Sequence, residues 1–169
     1  MTWIFTYGSL MGDNATAHFE GHPARLTGFH RSFNHESTRR WGSPTHPCPT
    51  IGLTPGGECT GVAYQLSRAQ QRALLRKLRH SDGNDEFNRK RVRIDLLDDG
   101  STKALAWVTS SKILQRPRWP NEKDMQQAFR DAHGLVGNGI EYIRELVHAM
   151  NLWKIDDPLI ESLWETLKP

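Results

Sequence analysis

The sequence predicts an α+β fold with mainly antiparallel strands, and three observations lead there. Strand-like segments joined by Gly- and Asp-rich turns recur along the chain as far as Thr109, with period-two alternation in RKRVRIDLL (89–97). Three amphipathic helical patterns close it. Strands and helices do not alternate as regular βαβ units, which argues against a doubly wound parallel sheet. At 169 residues the chain is expected to form one domain, residues 1–169, long enough to bury a core.

TWIFT (2–6) reads as a buried strand that stops at the Gly-containing turn YGSLMGDN. LTGFHRSF (26–33) is the second strand, and the stretch 34–50, rich in Pro, Ser, Arg and His, is predicted to be irregular. TPGGE (54–58) carries turn chemistry ahead of TGVAYQL (60–66), which predicts a hairpin there. Ser67 followed by Gln70 forms a capping box for a helix over 68–80, with Ala73, Leu74 and Leu78 on its inner face. RKRVRIDLL (89–97) alternates, with Arg89, Arg91 and Arg93 on one face and Val92, Ile94 and Leu96 on the other. DDGS (98–101) turns the chain into KALAWVT (103–109). Helices follow over 122–132, 139–151 and 158–167, the last with Asp157 as N-cap and Pro158 at its first position.

Composition excludes several classes. With 37% hydrophobic and 24% charged residues the chain suits a folded soluble protein rather than a disordered one. No apolar run approaches the ~20 residues that span a bilayer, so no membrane association is expected. MTWIFTYGSL has neither a basic leader nor a cleavable apolar segment, which predicts a cytoplasmic protein. In that compartment Cys48 and Cys59 are expected as reduced thiols, although spacing alone leaves one disulfide open. A net charge of +3 accommodates an anionic ligand but falls short of a nucleic-acid footprint. Nothing in the sequence sets the oligomeric state.

Candidate chemistry is sparse. Ser9 in YGSL lacks the flanking glycines of a hydrolase nucleophile elbow, Tyr7 and Met11 standing in their places. A strand ending in Gly-Ser-Leu can instead expose successive backbone N–H groups to a carboxylate, or be an ordinary turn. The eight histidines show no metal-ligand spacing, so no metal is expected. The cations Arg89, Lys90, Arg91 and Arg93 could track phosphates but have no interleaved aromatics on which bases would stack, and a solvated strand face is the alternative. HSDGNDEF (80–87) gathers Asp82, Asp85 and Glu86 after a basic helix. That cluster is either a solvated turn or the source of a catalytic carboxylate.

Taken together, WIFTYGSLM, GFHRSF (28–33), GSPTHPCPTIGLTPGGECTGVAYQL (42–66), IDLLDDGSTKALAWV (94–108) and HGLVGNGIEYIREL (133–146) resemble, in order, segments of the ChaC-like γ-glutamylcyclotransferases. The resemblance implies a small mixed, mainly antiparallel β-barrel with flanking helices. It implies cleavage of a γ-glutamyl amide, glutathione or a related compound, by the substrate's own α-amino group, giving 5-oxoproline and a free amine without a cofactor. It further implies that Tyr7, Gly8, Ser9 and Leu10 cradle the γ-glutamyl group and that Tyr142 lines the pocket; Arg31 either pairs with a substrate carboxylate or is a surface arginine on a strand. In such proteins a Glu, preceded by Arg, is the proton shuttle. Counting back from the shared DDG turn, or on from Leu78, puts that position at Asp82, preceded by Ser81. Aspartate is one methylene shorter and reaches ~1.5 Å less. Three outcomes follow: Asp82 serves, Glu86 swings into its place, or the protein is a γ-glutamyl-peptide binding or regulatory relative. Cys48 also stands where the family has glycine, and Phe87 is the aromatic nearest the family's position, with Asn88 at the ungapped one.

Overall fold

The computed structural model describes residues 1–79, 86–115 and 118–169, without the side chains of 77–79. Five strands close into a barrel in the order β1-β3-β2-β4-β5. They are β1 (Thr2–Thr6), β2 (Gly21–Ser37), β3 (Cys48–Leu66), β4 (Phe87–Leu96) and β5 (Gly100–Thr109). Every pairing is antiparallel except β1 with β5, which is parallel and completes the ring. The mixed, mainly antiparallel barrel implied by the resemblance is therefore what the chain forms.

Ile4, Phe5 and Thr6 are buried in succession. A strand covered on both faces reads as such a run rather than as an alternation. β4 alternates as its sequence predicts: Val92, Ile94 and Leu96 are buried while Arg89, Arg91 and Arg93 are exposed. The helices are α1 (Arg68–Arg79), α2 (Ser111–Leu114), α3 (Glu122–Asp131), α4 (Gly139–Trp153) and α5 (Pro158–Leu167). Phe129, Ile143, Leu146, Ile160 and Leu163 from the last three join the barrel residues in one core. Ser67 and Gln70 make the reciprocal bonds of a capping box before α1. Asp157 caps α5 through Leu159 and Ile160, with Pro158 at its start as expected. On α1, Leu74 is buried but Ala73 is exposed, and Leu78 lies outside the described side chains.

Two expectations fail together. The stretch 34–50 is not irregular throughout: β2 continues to Ser37 and β3 begins at Cys48. TPGGE is no hairpin turn but the interior of β3, paired across Phe29↔Pro55 and Thr27↔Glu58 with a register shift between them. Gly28, Gly56 and Gly57 hold φ values of 92°, 99° and 68° at this point. Positive φ is what a turn needs, and equally what a bulge needs to bend a long ladder. The β2–β3 connection is instead the loop 38–47, which forms one side of a cleft. Cys48 and Cys59 are buried and unpaired.

Candidate active site

The cleft is lined by Tyr7, Gly8, Ser9 and Leu10 at the end of β1, by Glu36 and Ser37 at the end of β2, and by Arg40 and Trp41 from the following loop. Thr50, Ile51, Phe87, Trp107 and Tyr142 complete it, with Asp13 at one edge.

The turn after β1 is anchored through its carbonyls. Arg31 Nε donates to Tyr7 O at 2.7 Å. Thr16 Oγ1 donates to Leu10 O at 2.7 Å. Tyr64 Oη and Trp153 Nε1 both donate to Met11 O, at 3.1 and 2.8 Å. The 3-10 turn Ser9–Met11 uses the N–H groups of Met11 and Gly12, bonded to Gly8 O and Ser9 O. The N–H groups of Ser9 and Leu10 precede those bonds and are not consumed by the turn. Acceptors are thus committed to the protein body at the place where an anionic group could use the donors.

Tyr7 is itself fixed, its hydroxyl donating to Trp107 O at 2.6 Å. Burial, first of all, pushes its hydroxyl far above the ordinary tyrosine range, so Tyr7 is a neutral donor and not a base. The Tyr142 hydroxyl is raised in the same way, again chiefly by burial. It accepts from Ile51 N at 3.1 Å and presents its ring beside Trp41, centroids 5.6 Å apart.

The sequence-derived site residues part company here. Tyr7, Gly8, Ser9, Leu10 and Tyr142 come together at the cleft. Arg31 does not line it. Its side chain is 3% exposed, and the guanidinium is spent on Tyr7 O, on Asp157 Oδ2 at 2.8 Å and on Thr60 O at 2.5 Å. The substrate-carboxylate role expected of Arg31 is corrected to that of an internal brace. Asp82 lies outside the described residues.

Glu86 sits next to Phe87 but does not itself line the cleft. Its Oε2 lies 3.0 Å from His35 Nδ1, and its Oε1 is bonded to Arg118 Nη2. The free swing imagined for Glu86 is opposed by both contacts. His35 is buried, stacks on Phe87 at 3.8 Å and 12°, and reaches Thr109 Oγ1 through Nε2 at 2.9 Å. Burial lowers the His35 pKa, against the opposing pull of Glu86. A neutral imidazole that donates from Nδ1 to the Glu86 carboxylate leaves Nε2 facing Thr109 Oγ1, whose single hydroxyl proton is shared between that nitrogen and Asn34 Oδ1 at 3.2 Å.

Three residues of this network were not expected from the sequence: His35, Glu36 and Arg118. Arg118 Nη1 bonds Glu36 Oε1, so one guanidinium ties together the carboxylates of Glu36 and Glu86. A signal for two of them was present. The alternation of Arg31, Phe33, His35 and Ser37, all buried, extends the strand period past Phe33 and places Glu36 on the opposite face. Among the described residues no cluster of three or more potential metal ligands occurs, and no helix is long and apolar enough to cross a membrane.

A family model described as ChaC-like protein matches residues 2–168. A glutathione-specific γ-glutamylcyclotransferase of Escherichia coli (strain K12) is 29% identical, the alignment covering 98% of this chain and 72% of that protein. The glutathione-specific γ-glutamylcyclotransferase 1 of Homo sapiens is 30% identical over 89% of this chain and 70% of that one. Among solved structures, a yeast γ-glutamyl cyclotransferase specific to glutathione superposes with a TM-score of 0.84. It covers 98% of this chain and 95% of that one at 17% identity, a likeness of fold.

Proposed function

The chain belongs to the ChaC-like family, and on that premise we propose that it is a γ-glutamylcyclotransferase acting on glutathione or a related γ-glutamyl compound. The observation that carries the reading is the cleft built on Tyr7–Leu10, with its carbonyls braced inward and its lining aromatic.

The chemistry fits such a cleft. The substrate's α-amino group, ordinarily protonated below pH ~8, loses a proton and its nitrogen attacks the γ-carbonyl carbon. The new C–N bond closes a five-membered lactam, and the old amide C–N bond breaks. Two protons leave the attacking nitrogen and two reach the departing one, so the products are 5-oxoproline and a protonated amine with no net proton change. Ring closure is intramolecular, and holding the chain folded supplies much of the rate. In this reading the Ser9 and Leu10 N–H groups take the substrate's carboxylate, while Tyr142 and Trp41 wall its length. A carboxylate beside both nitrogens moves the protons. Of the two candidates read from the sequence, Asp82 lies outside the described residues and Glu86 is bonded to His35 and Arg118. We place the reaction in the cytoplasm, where reduced Cys48 and Cys59 are stable.

Incubation of the purified protein with glutathione and with other γ-glutamyl amides tests the reading. Release of 5-oxoproline, measured by chromatography against an authentic standard, is the expected result. Binding of these compounds without release would favour a γ-glutamyl-binding protein. No release and no binding with any of them would end the reading altogether.

A further inference from the structure

Two described carboxylates line the cleft, Asp13 and Glu36. Asp13 is folded into its own turn, Oδ1 accepting from Ala15 N at 2.6 Å. Glu36 differs. It is carried on β2, opposite Pro49 in the ladder, between the buried residues His35 and Ser37. Its Oε1 is bonded to Arg118, and its Oε2 has no partner among the described residues. The side chain is about one-quarter exposed, at 26%.

The charges are uneven in one direction. Arg118 is shared by Glu36 and Glu86, and His35 is kept neutral by burial. The formal charges of Glu36, Glu86 and Arg118 thus sum to one negative, with Arg40 as a further cation in the cleft lining. Of the Glu36–Arg118–Glu86 group, Glu36 is the carboxylate that lines the cleft; Glu86 does not. Tyr7, Trp41, Phe87, Trp107 and Tyr142 supply apolar wall, against which an ammonium without a carboxylate would lose water at a heavy cost.

We propose that Glu36 receives the substrate's α-ammonium and takes its first proton, with Arg118 as the positioning residue that holds Glu36 against the cleft wall. This rests on the γ-glutamyl reading above and names a catalytic residue for it. The balance is simple: Glu36 carboxylate and R–NH3+ become Glu36 carboxylic acid and R–NH2, the freed electron pair attacks the γ-carbonyl, and the acid protonates the departing nitrogen. The carboxylate so regenerated takes the second proton from the ring nitrogen and passes it to the amine as the old C–N bond breaks. Glu86 acts through its neighbours, balancing Arg118 and fixed by His35.

The test compares wild type, Glu36→Gln and Glu86→Gln on two ligands: a γ-glutamyl amide, and the same amide lacking the α-amino group (a glutaryl amide). Wild type should bind the amine-bearing ligand at least ~10-fold more tightly, and Glu36→Gln should lose that preference. With turnover as readout, kcat/KM of Glu36→Gln should fall ~100-fold or more, and the acidic limb of its pH profile should vanish. Glu86→Gln should keep the ligand preference. Should Glu36→Gln fail to fold by circular dichroism, the comparison runs on Glu36→Asp, whose shorter reach weakens the preference while the charge stays.

Wild-type release of 5-oxoproline together with an unchanged ligand preference and pH profile in the Glu36 variant would overturn this proposal and leave the enzyme reading standing. Loss of the preference in Glu86→Gln but not in Glu36→Gln would also overturn it. A wild type that binds no γ-glutamyl compound would end both.

Discussion

Arg31 and Asp157 offer the sharpest test of how the cleft is held. The Arg31 side chain is 3% exposed and that of Asp157 14%, and they are bonded at 2.8 Å. Arg31 also holds the carbonyls of Tyr7 and Thr60. Asp157→Ala leaves the guanidinium buried with no counter-charge, which costs about 3–5 kcal/mol. The same substitution removes the N-cap of α5, where Asp157 Oδ1 accepts from Leu159 N at 3.1 Å and Ile160 N at 3.3 Å, a further ~1 kcal/mol. The sum, about 4–6 kcal/mol, is a large share of the ~5–15 kcal/mol that keeps a domain folded. At ~2–4 °C per kcal/mol for a chain of this size, the melting temperature should drop by about 10–20 °C. Asp157→Asn preserves the cap and removes only the charge, so it should lose about 1 kcal/mol less. Urea unfolding followed by tryptophan fluorescence measures both. A loss below about 1 kcal/mol in Asp157→Ala, the level of an exposed pair, would refute the claim that Arg31 is an internal brace.

Other consequences follow from the polar network beside the cleft. An unfolded His35 takes its proton near pH 6.5, whereas the folded one, with burial lowering its pKa, takes it only at lower pH. The unfolded state thus binds more protons below about pH 6.5, and stability should fall on acidification from there down to the folded pKa. Urea unfolding at several pH values should show that slope reduced in His35→Gln; equal slopes in the two proteins would contradict the assignment. Gly52→Ala would drive a Cβ to 2.3 Å from Asn34 Oδ1 and Thr109 Oγ1 and to 2.4 Å from His35 Cδ2. We expect overpacking of about 1–3 kcal/mol, read as a lower melting temperature, and a normal melt would count against this close packing. Tyr142→Phe deprives the buried Ile51 N–H of its bond to the hydroxyl. It should cost about 1–3 kcal/mol, and urea unfolding with no shift would show that Ile51 finds another acceptor.

What could be read in advance was whatever local chemistry determines. The Ser67 and Asp157 caps, the alternation of β4 and the DDGS turn each depend on a few adjacent residues, and each appears as expected. TPGGE misled because positive-φ glycines signal a change of backbone direction without saying whether the chain reverses or only bends. In a long strand that wraps a barrel, the bend wins. The candidate site divides along the same line. Tyr7–Leu10 and Tyr142 were legible because a short pattern carries them. Arg31 was misplaced because a buried arginine and a ligand-binding one look alike until Asp157, far along the chain, is seen to face it. Glu36 was missed for the converse reason. Its position at the cleft depends on β2 running on to Ser37, and its fixation depends on Arg118, a residue no local pattern connects to it. Asking the sequence for one carboxylate near HSDGNDEF directed attention to Asp82 and Glu86. Asp82 lies outside the described residues, and the fold brings Glu36 to the cleft with Glu86 nearby and a single arginine bonded to both. A carboxylate whose position is set by tertiary structure escapes a short pattern, whereas the Tyr7–Leu10 turn depends only on a continuous run of backbone.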